Sequence, residues 1–214
     1  MRLRLLSPTS TLRLRLHDDF KVASVTSDEG NTLLFFRVRD QGSLVVSLGP
    51  LAQRERPFSI TTRYLGRHAP APLDQEIVQV PAVSSEEASD IFVEAPPLVY
   101  SNRTAWYPRP ASEDFATARL ALETPEAFLA VAGGELASLR VAEGRARAEY
   151  VLREPGKFLT ALVGRLRDVG MRQEGEQAVR GFAGTRVRGE TLEQMQALQE
   201  MMAFYAGLFG PSPY

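Results

Sequence analysis

The sequence predicts a mainly β fold, of antiparallel curved sheets or a β-sandwich, with one C-terminal α-helix. Three observations predict it. Apolar and polar residues alternate in short runs, as in Leu12-Arg13-Leu14-Arg15-Leu16. Turn-forming clusters separate the runs at short, regular intervals, the pattern of antiparallel sheets. Only near the end does the apolar spacing change to three and four, the period of a helix.

The elements run in order. After Leu12–Leu16 come Val22 and Val25, then the turn cluster Asp28-Glu29-Gly30-Asn31. Leu33 to Val38 is a second strand, ended by Asp40-Gln41-Gly42. Leu44 to Leu48 is a third, closed by Gly49-Pro50, and Phe58 to Tyr64 alternates again. Residues 66–97 are rich in Pro, Ala and acid and read as an irregular excursion. Leu98-Val99-Tyr100 resumes the strand pattern. In Phe115 to Thr124 the residues Ala116, Ala118, Leu120 and Leu122 share one parity, and Pro125 ends the run. Short strands continue over 128–163, with turns at Gly133-Gly134 and Glu143-Gly144. Lys157 to Val169 reads as helix by period, but Pro155-Gly156 and Gly164 weaken a helix there. Leu192, Met195, Leu198, Met202 and Tyr205 form one apolar helical stripe. Thr191 and Gln194 have capping-box spacing, and Gly207 or Gly210 with Pro211 supplies the stop.

Composition removes several function classes. The 214 residues are 44% hydrophobic and 24% charged, enough for one large domain or two small ones with a sizeable core. A formal net charge of −1 argues against a nucleic-acid partner, which would demand a basic surface. The chain has no cysteine, hence no disulfide and no thiolate metal ligand. No run approaches the roughly 18 apolar residues of a transmembrane helix. Met1 to Leu6 is basic but leads into no apolar segment, so it does not read as a signal peptide, and the compartment is left unassigned.

Candidate chemistry is sparse. The two histidines, His17 and His68, stand 51 positions apart and share no helical pairing. A zinc site from both and a carboxylate is conceivable, but they read as surface histidines, and no metal or cofactor is expected in this chain. No G-x-S-x-G motif is present, and Gly133-Gly134-Glu135-Leu136 is a turn rather than a phosphate loop. The acidic pairs, among them Asp18-Asp19, Glu86-Glu87 and Glu113-Asp114, read as turn or loop residues. The richest patch is Tyr100 to Pro108, with Tyr100, Asn102, the lone tryptophan Trp106, and Tyr107. It reads either as a cleft wall that meets a ligand or as an aromatic plug between sheets. The plug places Trp106 in a buried position.

The order of these pieces resembles the amino-terminal region of zinc aminopeptidases of the aminopeptidase N type, the gluzincin exopeptidases. Leu44–Leu48 and then Phe58 to Gly66 are similar to that family's two strands ending in Tyr-x-Gly. Trp106-Tyr107-Pro108, Phe115 to Leu120, Pro125 and Gly134-Glu135-Leu136 are similar to its next stretches. Phe158 to Leu166 is similar to a strand ending in Gly-Arg, which turns Lys157–Val169 toward strand. Glu190 to Tyr214 is similar to the helix that opens the catalytic domain and finishes Phe-Gly-x-x-Pro-Tyr.

The resemblance implies a division: 1–189 as the β-rich domain, lacking the family's opening strands, and 190–214 as the helix opening a further domain. In the family, a Gly-x-Met-x-Asn segment and an H-E-x-x-H helix come next, and this sequence contains neither. Zinc is therefore expected only in a parent catalytic domain. Tyr107-Pro108-Arg109-Pro110 departs from the family's Phe-Pro-Cys-x-Asp-Glu-Pro, and Pro97 occupies the substrate-anchoring position, so no anchoring residue is carried over. The expected function is a non-catalytic domain that walls the substrate cleft and packs on a catalytic domain in cis or in trans. The helix stripe would be the domain interface, or a surface for self-association. The alternative is a stand-alone β-rich binding or scaffold module, and a third reading is a hydrolase using scattered carboxylates.

Overall fold

In the computed structural model, residues 1–53, 56–68, 70, 97–110, 114–174, 177–184 and 188–210 are described. Most of the predicted excursion, 71–96, lies outside them, as do Glu113 and residues 211–214. The chain divides into two compact units, Met1–Pro70 with Tyr100–Phe115, and Ala71–Val99 with Ala116–Tyr214. The second unit includes the C-terminal helix, so this division does not coincide with a boundary at 189/190.

The first unit is built from strands β1 (Arg2–Leu3), β2 (Thr11–Arg15), β3 (Lys21–Ser27), β4 (Phe35–Val38), β5 (Ser43–Ser47) and β6 (Phe58–Leu65). Strand β7 (Leu98–Tyr100) comes after 71–96 and pairs in a sheet of the second unit, with only Tyr100 counted in the first, and β8 (Arg109–Pro110) completes the first unit. The sheets are antiparallel, in the orders β1-β6-β3 and β4-β5-β2-β8. Alternation decides the register. Leu12 faces Val46 and Leu14 faces Leu44, so one parity of β2 points inward with one parity of β5. Leu14, Val25, Leu44, Val46, Leu48, Phe58 and Ile60 are buried together. Among the described residues Phe58 is the largest fully buried side chain, and truncating it to alanine would cost about 3–5 kcal/mol.

The second unit contains β9 (Ala116–Pro125), β10 (Leu129–Ala132), β11 (Glu135–Ala142), β12 (Arg145–Gly156), β13 (Ala161–Gly164), β14 (Arg167–Glu174), β15 (Gln177–Ala183) and the helix α1 (Arg188–Phe209). The sheet orders are β11-β12-β9, β10-β13-β7 and the hairpin β14-β15. On β9 the expected parity holds from Ala118 on: Leu120 and Thr124 are buried, Ala118 and Leu122 half-buried, and the residues between them exposed, whereas Ala116 at the strand's start is exposed too. Tyr150 of β12 is buried and donates its hydroxyl to the Ala130 carbonyl at 3.2 Å. Lys157–Val169 holds β13 and the start of β14, as the resemblance implied and the helical period did not. Among the described residues α1 is the sole α-helix.

Two local expectations about α1 need correction. The helix starts by Arg188, so Thr191 lies within it and is not its N-cap. Instead the Thr191 methyl packs toward Gly181 of β15, and Glu190 sits in the first turn, where the helix dipole favours an acid. The covered face is also rotated from the apolar stripe. Met195 is 4% exposed and Met202 half-buried, whereas Leu192, Leu198 and Tyr205 are exposed. Thr191, Gln199 and Ala206 share the covered face with the two methionines. The cause is apolar excess: Met201, Phe204, Leu208 and Phe209 spread around the helix, so hydrophobicity alone does not select a face. The hairpin selects it through Gly181. A Cβ there would collide with the Met195 sulfur, so glycine lets the methionine keep this place against the hairpin, and a larger residue would make its side chain shift. Gly210 stops the helix with φ of 87° and an amide bonded to the Ala206 carbonyl at 3.0 Å.

Candidate functional site

The site is built in the first unit, on the loop between β2 and β3. This loop, His17 to Phe20, is pinned from several sides. Leu16 N–H donates to the Gly42 carbonyl at 2.8 Å, and His17 N–H to the Ala105 carbonyl at 2.9 Å. The Arg37 Nη2 group reaches the carbonyls of Leu16 and His17 at 2.8 and 2.9 Å and Asp18 Oδ1 at 3.2 Å. Asp18 Oδ2 accepts from Gly42 N–H at 3.3 Å. Asp18 therefore holds the loop, while Asp19 is left to face the other way.

A second segment arrives through strand pairing. In the β3–β6 ladder Lys21 faces Leu65. Antiparallel pairing then sets the residues after Leu65 beside those before Lys21, and His68 meets His17 despite 51 positions of separation. The approach is tight at Gly66. A Cβ there would collide with the Asp19 carbonyl oxygen and lie 2.9 Å from Phe20 Cδ1. This gives a physical reason for the glycine of the Tyr-x-Gly run.

The result is a cluster that the sequence pattern did not lead one to expect. The rings of His17 and His68 have centroids 4.2 Å apart. Asp19 Oδ2 lies 3.4 Å from His17 Nδ1 and 3.6 Å from His68 Nδ1. One donor atom from each of the three residues lies within 4.8 Å of the others. His17 and Asp19 are partly exposed, but the His68 side chain is only 9% exposed. Among the described residues, neither ring nitrogen of His68 has a hydrogen-bond partner. A cleft of about 470 Å³ opens beside the cluster, walled by Asp19, Phe20, Gly66, Arg67, His68 and Tyr100.

The four predicted aromatic-patch residues divide. Tyr100 lines the cleft and lies 6.5 Å from the His68 ring, centroid to centroid. Trp106 sits edge-on to Tyr100 at 5.9 Å, and Tyr107 edge-on to Trp106 at 5.0 Å, forming a backing layer. Trp106 is half-buried rather than fully enclosed, because it belongs to a short surface turn after a 3₁₀ segment. Asn102 starts that segment, and its carbonyl accepts from Arg109 Nη2 at 3.2 Å. Its place is structural support of the turn. Burial pushes the phenols of Tyr64 and Tyr100 above the ordinary tyrosine pKa. Sequence reasoning missed Asp19, Phe20, Arg67 and His68 as neighbours. The signal that would have found them is the pairing of Lys21–Ser27 with Phe58–Leu65.

No family model and no curated protein matches this sequence. Solved structures do match the fold. One is an M1 zinc metallopeptidase from Deinococcus radiodurans, with 18% identity and a TM-score of 0.66, covering 99% of this chain and 48% of that one. A mutant of the Deinococcus radiodurans enzyme bound to a Tyr-Ser-Ala substrate aligns with 18% identity, a TM-score of 0.67 and the same coverage. A two-domain M1 zinc metallopeptidase mutant bound to L-arginine gives 18% identity and a TM-score of 0.69, again over 99% and 48%. The chain therefore spans about half the length of the metallopeptidases it resembles, and at this identity the likeness shows a shared fold: a mainly β chain of antiparallel sheets and one described helix, like that part of an M1 zinc metallopeptidase.

Proposed function

We propose that the chain is the amino-terminal, non-catalytic β-rich part of an M1-type zinc metallopeptidase, or of a divergent relative. It walls the substrate cleft and packs on a catalytic domain supplied in cis or in trans. The observation that carries this reading is the structural match over 99% of the chain against 48% of each neighbour. The helix adds support. Leu192, Leu198, Phe204, Tyr205, Leu208 and Phe209 are exposed on α1, an apolar surface of the kind that is covered by a partner domain. In the parent enzyme a zinc-activated water would attack a peptide amide, with a glutamate as base. The ligands of that zinc would come from the catalytic domain.

The test is the genetic locus. The proposal expects an H-E-x-x-H motif encoded downstream in the same frame, or in an adjacent gene. A locus with neither would overturn it and favour a stand-alone β-rich binding module. The cleft beside His68 and Tyr100 is the observation that favours this second reading.

A further inference from the structure

We infer that His17, Asp19 and His68 form a binding site for a divalent transition-metal ion of the zinc type. The inference goes beyond the proposed role, which requires no metal in this chain. It also replaces the expectation of a metal-free chain, which rested on the distance in sequence between the two histidines.

Three observations carry it. The first is the donor set. Two imidazoles and a carboxylate suit zinc and its neighbours, and three protein ligands leave a fourth position for water or a ligand. The second is spacing. Zinc–ligand bonds of about 2.0–2.1 Å at a tetrahedral angle put two donor atoms about 3.3 Å apart. Asp19 Oδ2 stands 3.4 and 3.6 Å from the two Nδ1 atoms, too far for good hydrogen bonds but right for a shared ion. The third is His68 itself. Its imidazole is nine-tenths buried, and among the described residues its nitrogens meet no hydrogen-bond partner. Leaving a buried polar group unsatisfied is costly, and a metal bond would satisfy it.

The surroundings fit this use. The loop that carries His17 and Asp19 is fixed by backbone bonds to Gly42 and Ala105 and by Arg37. Metal sites depend on such outer support to hold their ligands. His17 Nδ1 accepts only a long bond of 3.3 Å from Asp19 N–H, which an ion would displace at little cost. The cleft of about 470 Å³ gives an ion and its open position access from solvent.

The test uses the full chain, freed of any histidine tag and stripped with a chelator. Calorimetric titration with zinc chloride should show one ion per chain. Cobalt chloride should give the visible bands of a low-symmetry, four-coordinate site. His17→Ala and Asp19→Asn change partly exposed groups and should leave the circular dichroism unaltered. Each should weaken zinc binding about 100-fold or more, since even lost outer-shell partners cost 10–100-fold. His68→Ala should abolish the cobalt bands. The inference is overturned by an absence of saturable binding. It is equally overturned by zinc binding that is the same in His17→Ala, Asp19→Asn and the unaltered chain.

Discussion

Tyr64, near the end of β6, donates its hydroxyl to the backbone carbonyl of Trp106 at 3.0 Å. A side chain on a regular strand thereby fixes the turn that backs the cleft. Phe20 packs edge-on against the same Tyr64 ring at 5.3 Å, so one residue links the loop of the cluster to the aromatic layer. Tyr64→Phe keeps the ring and removes the bond. It should cost about 1 kcal/mol in chemical denaturation and make Trp106 fluorescence more quenchable. An unchanged midpoint and unchanged quenching would show that the turn is held by other contacts.

The same burial predicts an alkaline limit. Tyr64 and Tyr100 keep their protons to higher pH in the folded chain than in the unfolded one. A raised pKa contributes stability that is fully present below about pH 10, the unfolded value, and is lost as pH rises through the folded values. Melting temperatures should therefore decline above about pH 10. The decline should be shallower in the Tyr64→Phe, Tyr100→Phe double variant. An equal slope in both proteins would contradict the assignment.

An acid limit comes from the second unit. Arg180 hydrogen-bonds Asp168, with Nε 3.0 Å from Oδ2, and holds its carboxyl below the usual range; the Gly170 amide at 2.9 Å adds to this. A lowered pKa contributes stability present above about pH 4 and lost as pH falls through the folded value. The pair is partly exposed, so the contribution is under about 1 kcal/mol. Asp168→Asn should flatten the acid side of the stability profile, as measured by melts over a pH series.

Gly181 and Met195 set how α1 lies on its hairpin. Gly181→Ala should cost about 1–3 kcal/mol by overpacking. In a Met195→Ala background the same change should cost little, because the colliding sulfur is gone. A double-mutant cycle from denaturation curves measures the coupling. Additive effects would place the two residues out of contact.

Much of the fold was legible because alternation is a local signal. Leu12-Leu14-Leu16 and Ala118-Leu120-Leu122 each state which parity faces inward, and both hold. The hairpin β14-β15 went unread, because Gly170, Gly181 and a bulge between Asp168 and Gly170 interrupt the period. On α1 the apolar residues surround the helix, so sequence named its existence but not its covered face. The site was the least legible part. Tyr100 was named, but His17 and His68 meet only through strand pairing, a long-range relation that neither residue's neighbours encode.

The exposed apolar face of α1 bears on the proposed role. Phe204→Ser with Leu208→Ser changes exposed side chains and should shift stability by less than about 0.5 kcal/mol. If that face seats a partner domain or a second copy, the variant should sediment as a smaller species than the unaltered chain in matched runs. Identical sedimentation, with and without a partner, would leave the face with no interface role.

Co-expression with the H-E-x-x-H segment from the same locus, with sedimentation and hydrogen exchange as readouts, tests most directly whether this chain packs on a catalytic domain. A one-to-one complex is expected, in which amides of α1 gain protection and in which Phe204→Ser with Leu208→Ser weakens assembly. Two species that sediment independently, with α1 exchanging as in the isolated chain, would contradict it.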